Sequence, residues 1–487
     1  MIATILGSSM VFIDGSVVNV IMPELQREFS ATGVEIQWVV ESYLLFLASL
    51  ILVGGSIGDH FGRKLIFQIG TVFFILASIG CGFSQTLLQM TIFRSLQGIG
   101  GALLTPGSLA IINSVFPRNE RGRAIGTWSA FSSITTAFGP VLGGWLADNL
   151  SWRWVFFINV PLGLLTIFFT RSFVPTQCHE TGREPLDLQG VVISTAGIAS
   201  IVFGLIEANY LIMILGVILM VLFFLIERRT NNPLVPLSFF KSRIFSAVNM
   251  STFLLYGALS IVFYFLPFNL IQVQGFSATE AGAANLPFVI IIFLFSRWSG
   301  GLYDRVGARL PIALGSLITG IGFLALGFMP GLNSSYWKDF LPGLILFGIG
   351  MSLCIAPLTT AVLGAVPERF SGLASGINNA VTRLAGLVGI AIMTAMIILW
   401  FHHYLDLALI NMPLDSSLKS DLLRRSNELA GLQGNSQIVN GIIKSAYLES
   451  FKSVMISSAL LSFGSSLCAL VFLPSEKVIR LPLSPVR

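Results

Sequence analysis

Gly55-Ser56-Ile57-Gly58-Asp59-His60-Phe61-Gly62-Arg63-Lys64 and Gly300-Gly301-Leu302-Tyr303-Asp304-Arg305-Val306-Gly307-Ala308-Arg309 are two copies of one pattern, each following one apolar run and preceding another. Gly122, in Arg121-Gly122-Arg123-Ala124-Ile125-Gly126, comes 63 positions after Asp59, and Gly372, in Ser371-Gly372-Leu373-Ala374-Ser375-Gly376, comes 68 after Asp304. Two landmarks repeated at nearly constant spacing mean two homologous halves. In an apolar chain, a six-helix unit that occurs twice implies a secondary transporter rather than an enzyme or a receptor.

Composition agrees with that class. The 487 residues are 54% hydrophobic and only 10% charged, with a mean hydropathy of +0.84, which excludes a water-soluble domain of this length. Apolar stretches of about 20 residues fall near 3–23, 37–58, 65–83, 87–114, 122–147 and 152–173, then near 242–271, 278–300, 310–329, 339–364, 371–400 and 450–473. Two more, near 188–206 and 210–227, lie between the sets. The expected fold is therefore all-α and polytopic, with fourteen spans. An N-terminal six-helix bundle covers 1–173, an inserted helix pair with its flanking loops 174–241, and a C-terminal bundle 242–487, including a long loop at about 401–450 read as amphipathic helix over the outer face. The first span starts almost at Met1, carries Asp14 and has no cleavage signature, so it reads as retained rather than as a signal peptide.

Charge placement gives an orientation. With the N-terminus inside, the inner loops and tail hold Arg63, Lys64, Arg118, Arg121, Arg123, Arg171, Arg183, Arg228, Arg229, Lys241, Arg243, Arg305, Arg309, Arg369, Lys477, Arg480 and Arg487, against Arg27, Arg153 and Lys338 in the short outer loops. That bias sets both termini in the cytoplasm of a cell whose plasma (inner) membrane holds the chain. The same distribution accounts for the net charge of +5, so nucleic-acid binding has no support. Cys81, Cys178, Cys354 and Cys468 have no paired spacing, and His60, His179, His402 and His403 form no ligand cluster, so neither a metal nor another cofactor is expected.

The quoted loop resembles the motif between helices 2 and 3 of the major facilitator superfamily. Arg94-Ser95-Leu96-Gln97-Gly98-Ile99-Gly100-Gly101-Ala102 resembles that family's helix 4 motif, and Gly139-Pro140-Val141-Leu142-Gly143-Gly144-Trp145-Leu146-Ala147-Asp148 its antiporter motif in helix 5. Asp14-Gly15-Ser16-Val17-Val18-Asn19-Val20-Ile21-Met22-Pro23 resembles the helix 1 motif of the fourteen-helix drug:proton antiporters of the QacA/EmrB type. Two departures stand out: Glu41, where the family more often has a small polar residue, and Ala308, where the second loop copy lacks the basic residue aligned with Arg63. The resemblance implies a proton-coupled exporter of lipophilic or cationic drugs working by alternating access, with small molecules, protons and the lipid bilayer as partners. In a double-membraned cell a periplasmic adaptor would join them. The alternative is a same-fold exporter of a native lipid, siderophore or metabolite without proton coupling, since fold and motifs do not separate the two.

Site residues follow from motifs and from membrane cost. Gly55, Gly58, Gly62, Arg63 and Lys64 with Asp59, and Gly307 with Asp304, make a conformational latch; the competing reading has Asp59 only capping helix 3. Gly139, Gly143 and Gly144 form a small-residue face bent at Pro140. Ionisable groups inside spans each cost roughly 2.5–3.5 kcal/mol at the bilayer centre unless paired or hydrated, and they number Asp14, Glu41, Arg94, Arg383 and Arg297 at a helix end. Asp14 and Arg94 lie about nine and eight residues from the outer ends of their helices, so at about 1.5 Å per residue both are about 12–14 Å deep. They are expected to face each other, as a proton-exchanging pair or as a static tie between helices 1 and 4. Glu41 reads as a second proton site, a cation attractor or an outer carboxylate reaching for water. Asn19, Gln97, Asn379 and Arg383 are candidate cavity residues, Arg383 equally a structural one. The 40 Phe suit both an aromatic cavity and a lipid-facing surface.

Overall fold

The computed structural model describes residues 1–474 except 117, 176–186, 208, 231–232, 234, 367–370, 411, 413–415 and 433–435, and without the side chains of 52, 56, 59–60, 109, 113–114, 118–126, 129–130, 132–134, 136–137, 296–297, 300–301, 304–305, 371–373, 375, 416–417 and 430. Among these residues there are only helices and connections. The first half comprises α1 (Ile2–Glu28), α2 (Gly33–Phe61), α3 (Arg63–Phe83), α4 (Leu87–Val115), α5 (Arg118–Asn149) and a sixth span broken at Ile158 into α6 (Trp154–Phe157) and α7 (Asn159–Phe173). Helices α8 (Leu188–Ile206) and α9 (Tyr210–Glu227) follow. The second half has α10 (Arg243–Phe268), a span broken into α11 (Ala278–Ala283) and α12 (Leu286–Val306), α13 (Arg309–Phe328), α14 (Leu341–Gly364), α15 (Ser371–Ile410), the short α16 (Ser416–Arg424) and α17 (Gln437–Phe472).

Each half packs in the same way. In the first, α1 lies against α5 and α7, α4 against α2 and α3, and α3 against α7; in the second, α10 lies against α15 and α17, α14 against α12 and α13, and α13 against α17. The duplication reaches single residues. Gly62 (φ 109°) is the one-residue turn from α2 into α3, and Gly307 (φ 77°) ends α12 before α13, so both copies of the quoted loop place a glycine in the region that a side chain disfavours. Matching capping boxes start the two second spans, Thr32 with Glu35 and Ser277 with Glu280.

Helices with little polar surface associate through small residues, because lipid gives no hydrophobic drive between them. Gly70 and Gly100 bring α3 and α4 together, Gly315 and Gly350 do the same for α13 and α14, and Gly204 and Gly216 for α8 and α9. Among the described residues thirteen helices are long and apolar enough to cross a membrane. Helix α5 is as long, at 32 residues, but the Ser, Thr and Gly residues along it lower its apolar content and keep it out of that set. The inserted pair is peripheral on its α9 side, whereas α8 packs on both α2 and α15, with Leu45, Val202, Ile206, Leu387 and Ala391 buried together and the Trp38 indole donating to Glu207 at 3.1 Å.

The segment at 401–450, expected as an outer loop carrying amphipathic helix, belongs largely to extensions of the flanking spans. α15 continues to Ile410 and α17 begins at Gln437, because Phe401, Leu405, Val439, Ile443 and Tyr447 are buried in one cluster beyond the expected span ends. Between them α16 and a turn at 426–431 close over the end of the molecule. This will be called the loop end, and the end bearing Gly62 and Gly307 the motif end.

Candidate functional site

Asp14 stands 12 residues into α1, about 18 Å along the helix axis, and is fully buried. Its carboxylate meets the Arg94 guanidinium of α4 at 2.5 Å. Arg94 also donates to Gln97 Oε1 (2.7 Å) and through Nε to the Val39 carbonyl of α2 (3.0 Å), and its plane lies 4.2 Å over the Tyr43 ring. Gln97, one turn along α4, closes the ring by donating Nε2 to Asp14 Oδ1 (2.8 Å) and to Ser78 Oγ of α3 (2.7 Å). Asn159 of α7 donates to the same Ser78 oxygen (2.9 Å) and to Asp14 (3.4 Å). Five helices thus converge on one carboxylate. A buried ion pair needs such additional hydrogen bonds to offset its desolvation, and here both carboxylate oxygens have donors.

Sequence reading brought Asp14 and Arg94 face to face, and the structure pairs them. It missed Ser78 and Asn159, whose small polar side chains in apolar runs follow no pattern of their own, and it assigned Gln97 to the cavity, whereas Gln97 is fully buried inside this network. Asn19 is partly buried on α1, outside the cavity wall.

A cavity of about 340 Å³ lies between the halves on the motif side. Its walls are Phe12 of α1, Tyr256 of α10, Thr359, Val362 and Leu363 in the last turns of α14, and Asn378, Asn379, Thr382 and Arg383 of α15. Ser375, Asn378, Asn379, Thr382 and Arg383 recur at i, i+3, i+4, i+7 and i+8, so one polar stripe runs along an otherwise apolar helix. A periodicity count would have found it. Asn378 is fixed by donating to Asn249 (3.1 Å) and Thr252 (3.0 Å) of α10. Arg383 is 12 residues into α15, at a depth matching that of Asp14, and within electrostatic reach of Tyr43.

At the loop end the halves are shut. Gly139 and Gly143 seat α5 on Ser16 and Val17 of α1, while Gly144 faces Ala278 of the other half so closely that a methyl would meet its carbonyl. Gly282 meets the Pro140 carbonyl in the same way. Asp148, at the end of the same motif, accepts from Ala278 N (3.2 Å), Thr279 N (2.7 Å) and Thr279 Oγ1 (2.5 Å). Gln26 bridges the halves again, accepting from Gln272 (2.9 Å) and donating to the Glu428 carbonyl (3.1 Å) in the 426–431 turn. Glu41 is sealed in the same half of the membrane: it is fully buried, its Oε1 accepts from Gln37 at 3.3 Å, and its Oε2 has no partner among the described residues. The reading of Glu41 as an outer carboxylate reaching for water does not hold, because its side chain is fully enclosed.

Within the proposed latch, the side chains of Asp59 and Asp304 lie outside the described residues, as does that of Arg297. Arg63 donates to the Ala110 carbonyl of α4 (3.1 Å), and Lys64 to the Arg171 and Val174 carbonyls at the end of α7 (3.0 and 2.5 Å), where a cation also complements the helix dipole. Those bonds stay within the first half. Gly55 is only in ordinary contact with Pro106 and Gly58 faces open space; Gly54 is where α4 comes closest, its missing methyl leaving room for the Ala102 carbonyl.

Two like-packed bundles closed at one end, with a polar cavity between them and an ion pair at mid-depth, are the architecture of a transporter. The sequence profile of the Major Facilitator Superfamily matches residues 4–390. The chain belongs to that superfamily. Among major facilitators it is 34% identical to a Mycobacterium tuberculosis multidrug resistance protein, Stp, over 421 residues, 83% of this chain and 77% of that one. It is 29% identical to the tetracenomycin C resistance and export protein of Streptomyces glaucescens over 407 residues, 81% of this chain and 74% of that one. In fold this major facilitator resembles an inward-facing bacterial homologue of the human lysosomal transporter Spinster, with a TM-score of 0.68 at 17% identity, covering 96% of this chain and 95% of the other. It is a multi-pass membrane transporter of the drug-exporter kind, not an enzyme.

Proposed function

We propose that this protein is a proton-coupled antiporter of lipophilic, drug-like molecules in the plasma membrane, of the fourteen-helix type, with α5 as the fourteenth span. The observation that carries the proposal is the sealed Asp14–Arg94 pair beside the cavity. Asp14 exchanges a proton against Arg94: when the pair parts and Asp14 takes a proton, the bonds from Gln97 and Arg94 rearrange, and α1 and α4 are freed to move relative to each other. Charge bias orients the motif end to the cytoplasm, so the closed loop end faces outward and the conformation is inward-facing. The names of its relatives, for multidrug resistance and for tetracenomycin C export, support export of foreign compounds. Glu41, with a single neutral partner, is a second carboxylate that must adjust when the loop end opens.

The test is transport in reconstituted vesicles with an imposed pH gradient, using radiolabelled chloramphenicol, an uncharged drug, as the reporter. Asp14→Asn is expected to stop uphill, gradient-driven movement while leaving exchange down a substrate gradient. Undiminished gradient-driven transport in that variant would make the pair a static tie and favour an uncoupled exporter of a native lipid or metabolite.

A further inference from the structure

The cavity contains one cation and, among the described residues lining it, no carboxylate. Asp14 does not balance that charge, since Arg94 takes it up. Among the described residues Arg383, partly buried in the cavity wall, has no ion pair and no hydrogen-bond acceptor, whereas the fully buried guanidinium of Arg94 has three acceptors. A guanidinium carries five N–H donors in a fixed fork and no acceptor. At membrane depth such donors are met by water in the cavity or, with less water to hold there, by an acceptor on whatever visits it. The neighbours do not: Thr382 gives its hydroxyl to the Asn378 carbonyl and the Asn378 amide is held by α10. Around the cation stand apolar walls, Phe12, Tyr256, Val362 and Leu363. The combination of one charged, forked donor with a ring-lined pocket at the small end of the usual range, roughly 300–1,000 Å³, is selective.

Resting on the exporter reading above, we propose that Arg383 makes this cavity an anion-accepting site, so that the preferred substrates are amphipathic molecules with a carboxylate, sulfonate, phosphate or phenolate on an apolar body. Carboxylate and phosphate geometry suit the fork bidentately. This narrows the sequence-based expectation of lipophilic or cationic drugs. The Tyr43 ring, between Arg94 and the reach of Arg383, gives the bound anion a short route to the coupling pair.

The experiment is equilibrium binding to the purified full chain in lipid nanodiscs, with empty nanodiscs as background and two fluorescent probes that share ring and linker but carry opposite heads, pyrenebutyrate and pyrenebutyltrimethylammonium. The wild type is expected to bind the butyrate more tightly, and Arg383→Gln to lower that affinity roughly tenfold while leaving the ammonium unchanged or tighter. Arg383→Lys retains most of the preference. Thr382→Asp, which sets a carboxylate in the same wall, reverses it and keeps the idea testable if Arg383→Gln does not fold. Equal wild-type affinity for both probes, no butyrate binding, or equal loss of both in Arg383→Gln overturns the proposal. Because no proton gradient is involved, these outcomes are independent of whether Asp14 couples transport.

Discussion

Asp14 and Glu41 are both buried carboxylates inside membrane helices, yet their surroundings differ. Asp14 has Arg94 at 2.5 Å and amide donors from Gln97 and Asn159, whereas among the described residues Glu41 has one amide at 3.3 Å and an oxygen without a partner. Removing the cation from a buried pair leaves an uncompensated charge, which costs about 3–5 kcal/mol. Arg94→Ala should therefore lower the thermal midpoint of the detergent-purified protein sharply. Glu41→Gln keeps the shape and the bond to Gln37 and removes a carboxylate that no described residue neutralises, so the midpoint should hold or rise. A drop in Glu41→Gln as large as that in Arg94→Ala would mean that Glu41 has a cationic partner elsewhere. Membrane cost made both residues stand out in the sequence, and depth along the helix paired the first with Arg94. Sequence could not tell that Gln97 belongs to that pair rather than to the cavity, because residues 94 and 97 share a helix face and only the packing of α3 and α7 decides which neighbours they meet.

At the scale of helices, the motif on α5 works at two surfaces. Gly139 and Gly143 address α1, whereas Gly144, the Pro140 carbonyl and Asp148 address α11 of the other half. Tight packing there was legible from the glycines, but the cross-half partner was not, since α11 is only six residues long and separated from α12 by a break at Ala284–Asn285 that hydropathy does not register. Likewise, much of the outer segment expected at 401–450 continues the flanking spans because the extensions of α15 and α17 bury each other's apolar residues, a contact between segments distant in sequence. Asp148 accepts from two backbone amides and a hydroxyl, each of which loses its partner if the carboxylate is truncated. Asp148→Ala should shift the protein toward a state open at the loop end. Spin labels at the exposed positions Asn149 and Trp337 would then show a longer distance population than in the wild type, and an unchanged distribution would assign Asp148 to local capping alone.

The whole molecule joins these parts in one geometric constraint. Its two bundles are each internally packed in matching fashion, and what joins them at the loop end is a small set of contacts: Asp148 with Thr279, Gly144 with Ala278, Gln26 with Gln272, and the 426–431 turn lying over both. Helix α8 joins them along one side by packing on α2 and α15. For a substrate in the motif-side cavity to leave by the loop end, every one of those loop-end contacts must part together, since rigid packed bundles switch between discrete arrangements rather than deform. A covalent tie across the seal should therefore stop the cycle without touching the cavity. With cysteines replacing Asp148 and Thr279, whose side chains touch, oxidation should abolish transport of chloramphenicol into the vesicle lumen, and a reductant should restore it to the level of the unoxidised double variant. Probe binding to the cavity should survive the cross-link, because its walls lie at the opposite end of α1, α14 and α15. Continued turnover in the fully cross-linked protein would show that the bundles do not separate there, and would move the exit path to the opposite seam between α2 and α15.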